Sequence, residues 1–385
     1  MILHRLNIHD KKEVKKFVEF PFNLYQNTPQ WVPPLSSEMP FVLNQKRHPF
    51  YQHSTAQFFY VEDDGLVVGR IAILHHKNYS AFHQEETAFF YYFESINDQE
   101  VANLLFDGAV NWCQENHIKK IVGPKGFLRS DGQGILVEGF EFLPAVGIPY
   151  NLDYYDRLIT NYGFTKLTDH LSGYFTAQQK LPEKLHRFSE KIKQNGKFWV
   201  LSFHNKKQLK KWIPEVNKVH HEAFQNNPNF YPSTEKEFEL LAANIIQIAN
   251  PNLIKLIMVN QKAAGFLICY PNINQTIQEI NGKIFPLGWI KLLRAKNKLD
   301  YVDLNGVGLL PEHQGRGANI LLYTEIEETL RKNHVQVGEF VQIDEQNFRS
   351  RSDMETIGIN WSKKHRTYVL NLAEQINPNK SENYE

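Results

Sequence analysis

The 385-residue sequence predicts a mixed α/β protein made of two similar domains, each a central mixed sheet flanked by helices. Three observations lead there. Apolar runs of strand length alternate with longer stretches of helical period, as in layered sheets and helices. The chain is longer than one ordinary hydrophobic core organises, so two domains are expected. The order of elements also repeats. A glycine in a hairpin strand (Gly69 in VVGRIAIL, Gly265 in AAGFLICY) is followed, after nearly the same span, by a glycine that closes a helix before a last strand (Gly163 in NYGFTKL, Gly358 in TIGINWS).

Taken in order, Ile2 to Leu6 reads as a strand and Asp10 as the N-cap of a helix running to Glu19. An aromatic, proline-rich passage follows, with Trp31, Pro33, Pro34, Pro40 and Pro49, expected to be irregular. Ala56 to Glu62 and Leu66 to Leu74 form a hairpin about Asp63-Asp64-Gly65. Ala88 to Phe93 is a strand, Gln99 to Asn116 an amphipathic helix, and Ile118 to Val122 the next strand. The loop from Gly123 to Asn151 is glycine-rich but also aromatic, which favours an ordered, functional loop; its Arg129, Ser130 and Asp131 are candidate substrate contacts. A helix from Tyr154 to Tyr162 ends at Gly163, and a strand through Tyr174 and Phe175 closes this half. Composition then shifts to Lys, Gln and Glu. The domains are accordingly placed at residues 1–176, a linker helix at 177–196, a second domain at 197–372, and a polar tail at 373–385.

The second half repeats the plan. A strand at Phe198 to Phe203, helices over Lys207 to Phe224 and Ser233 to Ala249, and a hairpin of Leu253 to Val259 with Ala263 to Tyr270 are expected. Lys283 to Lys298 is basic without one carboxylate. It reads as a solvated helix face or as a contact for an acidic substrate or anionic lipid. Tyr301 to Leu310 is a strand ended by Pro311. The turn Gln314-Gly315-Arg316-Gly317-Ala318 then opens a helix from Asn319, where Leu322, Ile326 and Leu330 recur every four residues. A strand at Glu339 to Asp344, a helix at Phe348 to Ile357 and a last strand at His365 to Leu372 complete the domain.

Strand, glycine turn and helix together outline an anion cradle, because the turn's N–H groups and the positive end of the helix converge. Neither the dinucleotide fingerprint nor the mononucleotide P-loop fits, since Pro311 replaces the third glycine and no Gly-Lys-Ser/Thr occurs. The pattern Leu309, Pro311, Gln314, Gly315, Arg316, Gly317 instead resembles motif A of the GNAT superfamily of acyl-CoA-dependent N-acetyltransferases. The element order of residues 198–372 is similar to that family too. The resemblance implies two tandem GNAT-like domains and acetyl-CoA, or another acyl-CoA, as cofactor. It also implies direct acyl transfer to an amine of a small molecule or peptide, the alternative being a catalytically silent acyl-CoA-binding or sensor protein. It implies cofactor contacts at Leu309, Leu310, Gln314, Gly315, Arg316, Gly317, Ala318, Asn319 and Asn347. Asn319 stands where the family has Gly or Ala. The first half has ESIND in place of the glycine turn and is read as degenerate.

Asp303 is the candidate general base, sharing one strand face with Tyr301 and with Asn305, a candidate substrate contact. Met354 occupies the position at which the resemblance expects a proton-donating tyrosine, so either another tyrosine (Tyr368, the candidate taken, or Tyr301) or water serves, or the site is impaired. Composition excludes other classes. A net charge of +1 offers nucleic acid no general attraction. Hydrophobic content of 42% describes a soluble globular chain with no run of bilayer length and no stable membrane insertion. The chain opens without an apolar leader core, and Cys113 and Cys269 sit apart in apolar runs, so a cytoplasmic protein is expected. His220-His221-Glu222 lacks the i, i+4 pair of a zinc helix, and no metal is expected.

Overall fold

The structure is a computed structural model that describes residues 1–225, 227 and 230–372; the polar tail expected at 373–385 lies outside the described residues. The chain divides into two compact units. The first holds Met1–His170, Asn281–Ile284 and the chain from Lys363 on; the second holds Leu171–Ile280 and Phe285–Ser362.

The first unit begins with β1 (Ile2–Arg5) and α1 (Lys11–Leu24), whose N-cap Asp10 accepts from the N–H groups of Lys12 and Glu13. The proline-rich passage is not wholly irregular, since α2 (Glu38–Val42) forms within it. Strands β2 (Thr55–Asp63) and β3 (Leu66–His75) pair antiparallel. Their turn uses positive φ at Asp64 and Gly65, the geometry that matches strand twist in a tight hairpin. After α3 (Lys77–His83) come β4 (Thr87–Ser95), α4 (Gln99–Glu115) and β5 (Lys120–Gly123), with β4 and β5 parallel, as a helical crossover requires. The apolar face of α4, including Val101, Leu105, Ala109 and Trp112, lies in the core with Phe90, Phe106 and Tyr155. The long loop is ordered around β6 (Ile135–Glu138), then α5 (Tyr155–Tyr162) and β7 (Thr165–Thr176) follow.

The second unit opens with α6 (Glu183–Asn195), β8 (Trp199–Ser202), α7 (Lys206–Lys211), α8 (Ile213–Phe224) and α9 (Glu235–Ile248). One helix was expected over 207–224; Pro214 in the first turn of α8 supports the break. The hairpin of β9 (Lys255–Val259) and β10 (Lys262–Pro271) leads through α10 (Asn274–Glu279) and α11 (Gly288–Ala295) to β11 (Tyr301–Leu309). Then come α12 (Ala318–Lys332), β12 (Val337–Asp344), α13 (Phe348–Thr356) and β13 (Asn360–Asn371). Strands run β8-β9-β10-β11-β12, antiparallel except for the β11–β12 pair. Leu321, Leu322, Ile326 and Leu330 of α12 pack with Val302, Leu304 and Phe340 on one sheet face.

The compact units do not divide where composition shifts. Both twelve-residue strands, β7 and β13, begin in one unit and end in the other. In the first unit, residues 368–371 of β13 pair antiparallel with Gly123–Lys120 of β5. In the second, Ser172 of β7 bonds the Gln342 amide of β12 at 2.9 Å, and Phe175 covers Gly338 so closely that a Cβ there would clash. Each sheet therefore takes in a strand encoded by the other half of the chain. Composition carries no trace of this, because β7 and β13 are ordinary strands wherever they pair.

Candidate functional site

In the second unit β11 and β12 pair only from Tyr301↔Val337 to Leu304↔Phe340, although both strands continue. At this point Asn305 is an extra residue in β11: Cys269 faces Leu304 and Ile268 faces Gly306. A bulge of this kind bends the strand and ends pairing. Beyond it β11 keeps β10 on one side and leaves its other edge open. The Leu310 N–H donates to the Ala264 carbonyl (2.9 Å), so by antiparallel alternation the N–H groups of Val307 and Leu309 point to the open edge.

The chain leaves that edge through the glycine turn. Gly315 and Gly317 both have positive φ (70° and 78°). Gln314 ties the turn to the strand, its Nε2 donating to the Leu309 carbonyl (3.0 Å) while its Oε1 accepts from Arg349 (2.7 Å). Helix α12 starts at Gly317 with no side-chain cap. Its first N–H groups thus lack the usual oxygen, and the helix dipole adds positive potential there. A Cβ added to Gly315 would meet nothing, so the turn is open on that side; one added to Gly317 would meet the Phe188 ring at 2.3 Å and Ile192 at 3.0 Å. Asn319 points its amide at the Asp353 carboxylate (2.7 Å), to which the Tyr323 hydroxyl also donates (3.4 Å). The larger side chain is thereby drawn toward α13. The residues present fit a pyrophosphate, whose oxygens would meet the N–H groups of this turn.

At the root of the open edge sits a polar cluster. Asp303 is 0% exposed and its register neighbours are Tyr270 on β10 and Glu339 on β12. Asn272 donates to both Asp303 oxygens (3.0 and 3.2 Å). Glu339, 1% exposed, accepts from the Tyr301 hydroxyl (2.7 Å), and Asn305 bonds Tyr270. Burial pushes the Tyr270 hydroxyl well above its ordinary value, and the Asp303 charge adds to it. Tyr301 is raised by burial first and then by Glu339. Both phenols are therefore held as donors. Glu339 and Asn272 were not singled out from the sequence; Glu339 reaches Asp303 only through the parallel register of β11 and β12, which no local signal marks. An apolar cavity of about 220 Å³, lined by Tyr323, Ile326, Leu330, Phe340 and Ile359, touches none of these groups.

No family model matches the sequence. Among curated proteins, the chain is 26% identical over 370 residues to Protein YghO of Escherichia coli (strain K12), covering 93% of each. It is 27% identical over 282 residues to a bacterial ceramide synthase of Caulobacter vibrioides (strain NA1000 / CB15N), covering 73% of each. Among solved structures it is similar to a tandem GNAT protein from the clavulanic acid biosynthesis pathway, with a TM-score of 0.55, 10% identity, and 96% and 98% of the two chains covered. A GCN5-related N-acetyltransferase from Sphaerobacter thermophilus gives 0.51 at 11% identity over 96% and 95%. This is the tandem GNAT fold.

Within the GNAT fold the sequence candidates separate into three groups. Leu309, Gln314, Gly315, Gly317 and Ala318 build the strand edge and turn, with the exposed Arg316 between the glycines and Asn319 bonded to Asp353. Asp303 and Asn305 meet at the polar cluster. The rest are held by other contacts or lie in the first unit. The Leu310 N–H is taken by Ala264, and Asn347 caps α13 by accepting from the Ser350 N–H (3.1 Å). Tyr368 belongs to the first unit, fully buried in its core with its hydroxyl donated to Asp156. Arg129, Ser130 and Asp131 are also in the first unit, where Asp131 accepts from the Leu128 N–H (3.0 Å) and closes its own turn. There the helix equivalent to α12 is α4, and its start is closed by the Asp98 carboxylate on the Glu100 N–H. The Asp98 carboxylate takes a donor at the start of α4, whereas α12 begins without a side-chain cap.

Proposed function

We propose that the second unit binds an acyl-CoA and transfers the acyl group to an amine. The observation that carries this reading is the uncapped start of α12, which follows directly from the open edge of β11. Gly315, Gly317 and Ala318 would hold the diphosphate through their N–H groups, with Arg316 as a further cation. The free N–H groups of Val307 and Leu309 would take the extended arm of the coenzyme as a sheet edge takes a strand. The bound thioester supplies the activated acyl group. Asp303 accepts the proton of the attacking amine, and Tyr270 or Tyr301, in place of Tyr368, donates to the departing sulfur.

The relative named a bacterial ceramide synthase guides the choice of substrates. A ceramide is the amide of a long-chain amino alcohol and a fatty acid, so long-chain amines and long-chain acyl donors join acetyl-CoA in the first panel. One observation favours the silent-sensor reading: Met354, at the position where a proton-donating tyrosine was expected, is 2% exposed and packed in the apolar core. Calorimetry with acyl-CoA and thiol release across an amine panel separate the two. Binding with turnover supports the enzyme, binding without turnover selects the sensor, and absence of binding removes both.

A further inference from the structure

The stretch joining β10 to β11 is long for a link between adjacent antiparallel strands, and it grows out of the polar cluster: Asn272 at its start bonds Asp303 of β11, just beyond its end. Its second helix, α11, is amphipathic in an unusual sense, because apolar side chains face solvent. Phe285 is 79% exposed, Leu287 66%, Trp289 45% and Leu293 44%. Four of the twelve exposed large hydrophobics among the described residues therefore fall within nine positions of the sequence. Scattered exposed apolar groups need no explanation, but a cluster does. Trp289 and Leu293 lie one turn apart on the same flank of α11, and the Trp289 indole N–H is turned back to the Pro286 carbonyl (3.0 Å), leaving the ring's apolar body outward.

The neighbouring charge is of one sign. Lys291, Arg294 and Lys298 are exposed, and no carboxylate occurs from Lys283 to Lys298. Glu279 and Asp300 at the margins pair with Lys291 (3.8 Å) and Lys298 (2.8 Å), but such exposed pairs neutralise little. Helix α7, KKQLKK, extends the field: Lys206 is lowered by burial and then by the nearby Lys296 and Lys210 ammonium groups. Aromatic and aliphatic tips ringed by lysine and arginine match an interface of acyl chains beneath negative headgroups. No helix among the described residues is long and apolar enough to cross a membrane, so the contact would be with a surface.

We propose that the segment from Phe285 to Lys298 docks this protein on an anionic lipid bilayer. This stands apart from the acyl-transfer reading and is tested without coenzyme. The whole protein is sedimented with phosphatidylcholine vesicles with and without phosphatidylglycerol, at low and high salt. Binding is expected only to the anionic vesicles and should weaken with salt. Phe285→Ser with Trp289→Ser, and separately Lys291→Glu with Arg294→Glu, should each reduce partitioning more than about tenfold. Leu66→Ser, an exposed apolar change elsewhere, should not. The charge pair keeps the test decisive if the apolar pair fails to fold. Absence of binding by the unaltered protein, equal binding to both vesicles, or insensitivity to both pairs overturns the proposal. So does light scattering that shows the apolar pair dissolving a dimer while vesicle binding persists, because a second copy would then be the occupant. None of these outcomes bears on thiol release with a soluble amine, which tests the catalytic reading on its own.

Discussion

Asp303 has no exposed surface, yet it is bonded on both oxygens by an amide and flanked by a phenol and a second carboxylate. Replacing it with Asn preserves shape and removes the proton acceptor. Turnover is expected to fall roughly 10²-fold or more while acyl-CoA affinity stays within about twofold, measured by thiol release and calorimetry. A second residue-scale test concerns stability. In the first unit Arg366 grips Asp169 through two bonds (2.8 and 3.1 Å), and Lys166 adds a third contact at 2.9 Å. Burial alone would raise the Asp169 carboxyl, but these hydrogen bonds outweigh it and hold it below its ordinary value. A carboxylate titrating lower when folded stabilises above its unfolded pKa, and that contribution is lost as pH falls through the folded value. Asp169→Asn should therefore cost roughly 1–2 kcal/mol at neutral pH, allowing for the solvent exposure of Lys166 and Arg366, and should flatten the loss of stability below about pH 4 in denaturant titrations. Residue chemistry was partly legible beforehand. Asp303 could be placed by counting along one strand, whereas Glu339 and Asn272 join it only through pairing, and Tyr368 looked available because its partner Asp156 lies far away in sequence.

At the scale of elements, the start of α12 separates two glycines that look alike in sequence. Both have positive φ, which costs an ordinary residue about 1–2 kcal/mol. Only Gly317 also has a neighbour in the way. Gly315→Ala should lower stability by about 1 kcal/mol and weaken acyl-CoA binding modestly. Gly317→Val should abolish detectable binding and cost roughly 3 kcal/mol, read by thermal unfolding and calorimetry. Equal effects of the two would contradict the packing of α6 against the turn. The strands and helices themselves were largely readable, because caps, turns and period agree: Asp10, the Asp64-Gly65 turn and Gly163 all act as local chemistry predicts. The bulge at Asn305 was not, since nothing in YVDLNGVGL marks which residue is extra.

At the scale of the whole molecule, a cut at the composition boundary does not follow the compact units. A fragment of residues 197–372 lacks the β7 strand that borders β12 and retains the part of β13 that belongs to the first unit. A fragment of residues 171–362 keeps what the second unit uses. The longer-reaching fragment 171–362 is expected to unfold cooperatively and at a higher temperature than 197–372, followed by circular dichroism. The duplication itself was visible in spaced glycines and repeated hairpins, but exchanged strands leave periodicity unchanged, so tandem order was legible and strand ownership was not.

That exchange sets a timetable for synthesis. The first sheet is completed only by residues 368–371, so a nascent chain leaving the ribosome carries an unfinished edge at Gly123–Lys120 until those residues have emerged. Such a chain is expected to need protection of that edge until then, and termination before Lys363 leaves the first sheet open even where the second unit, whose last segment ends at Ser362, is whole.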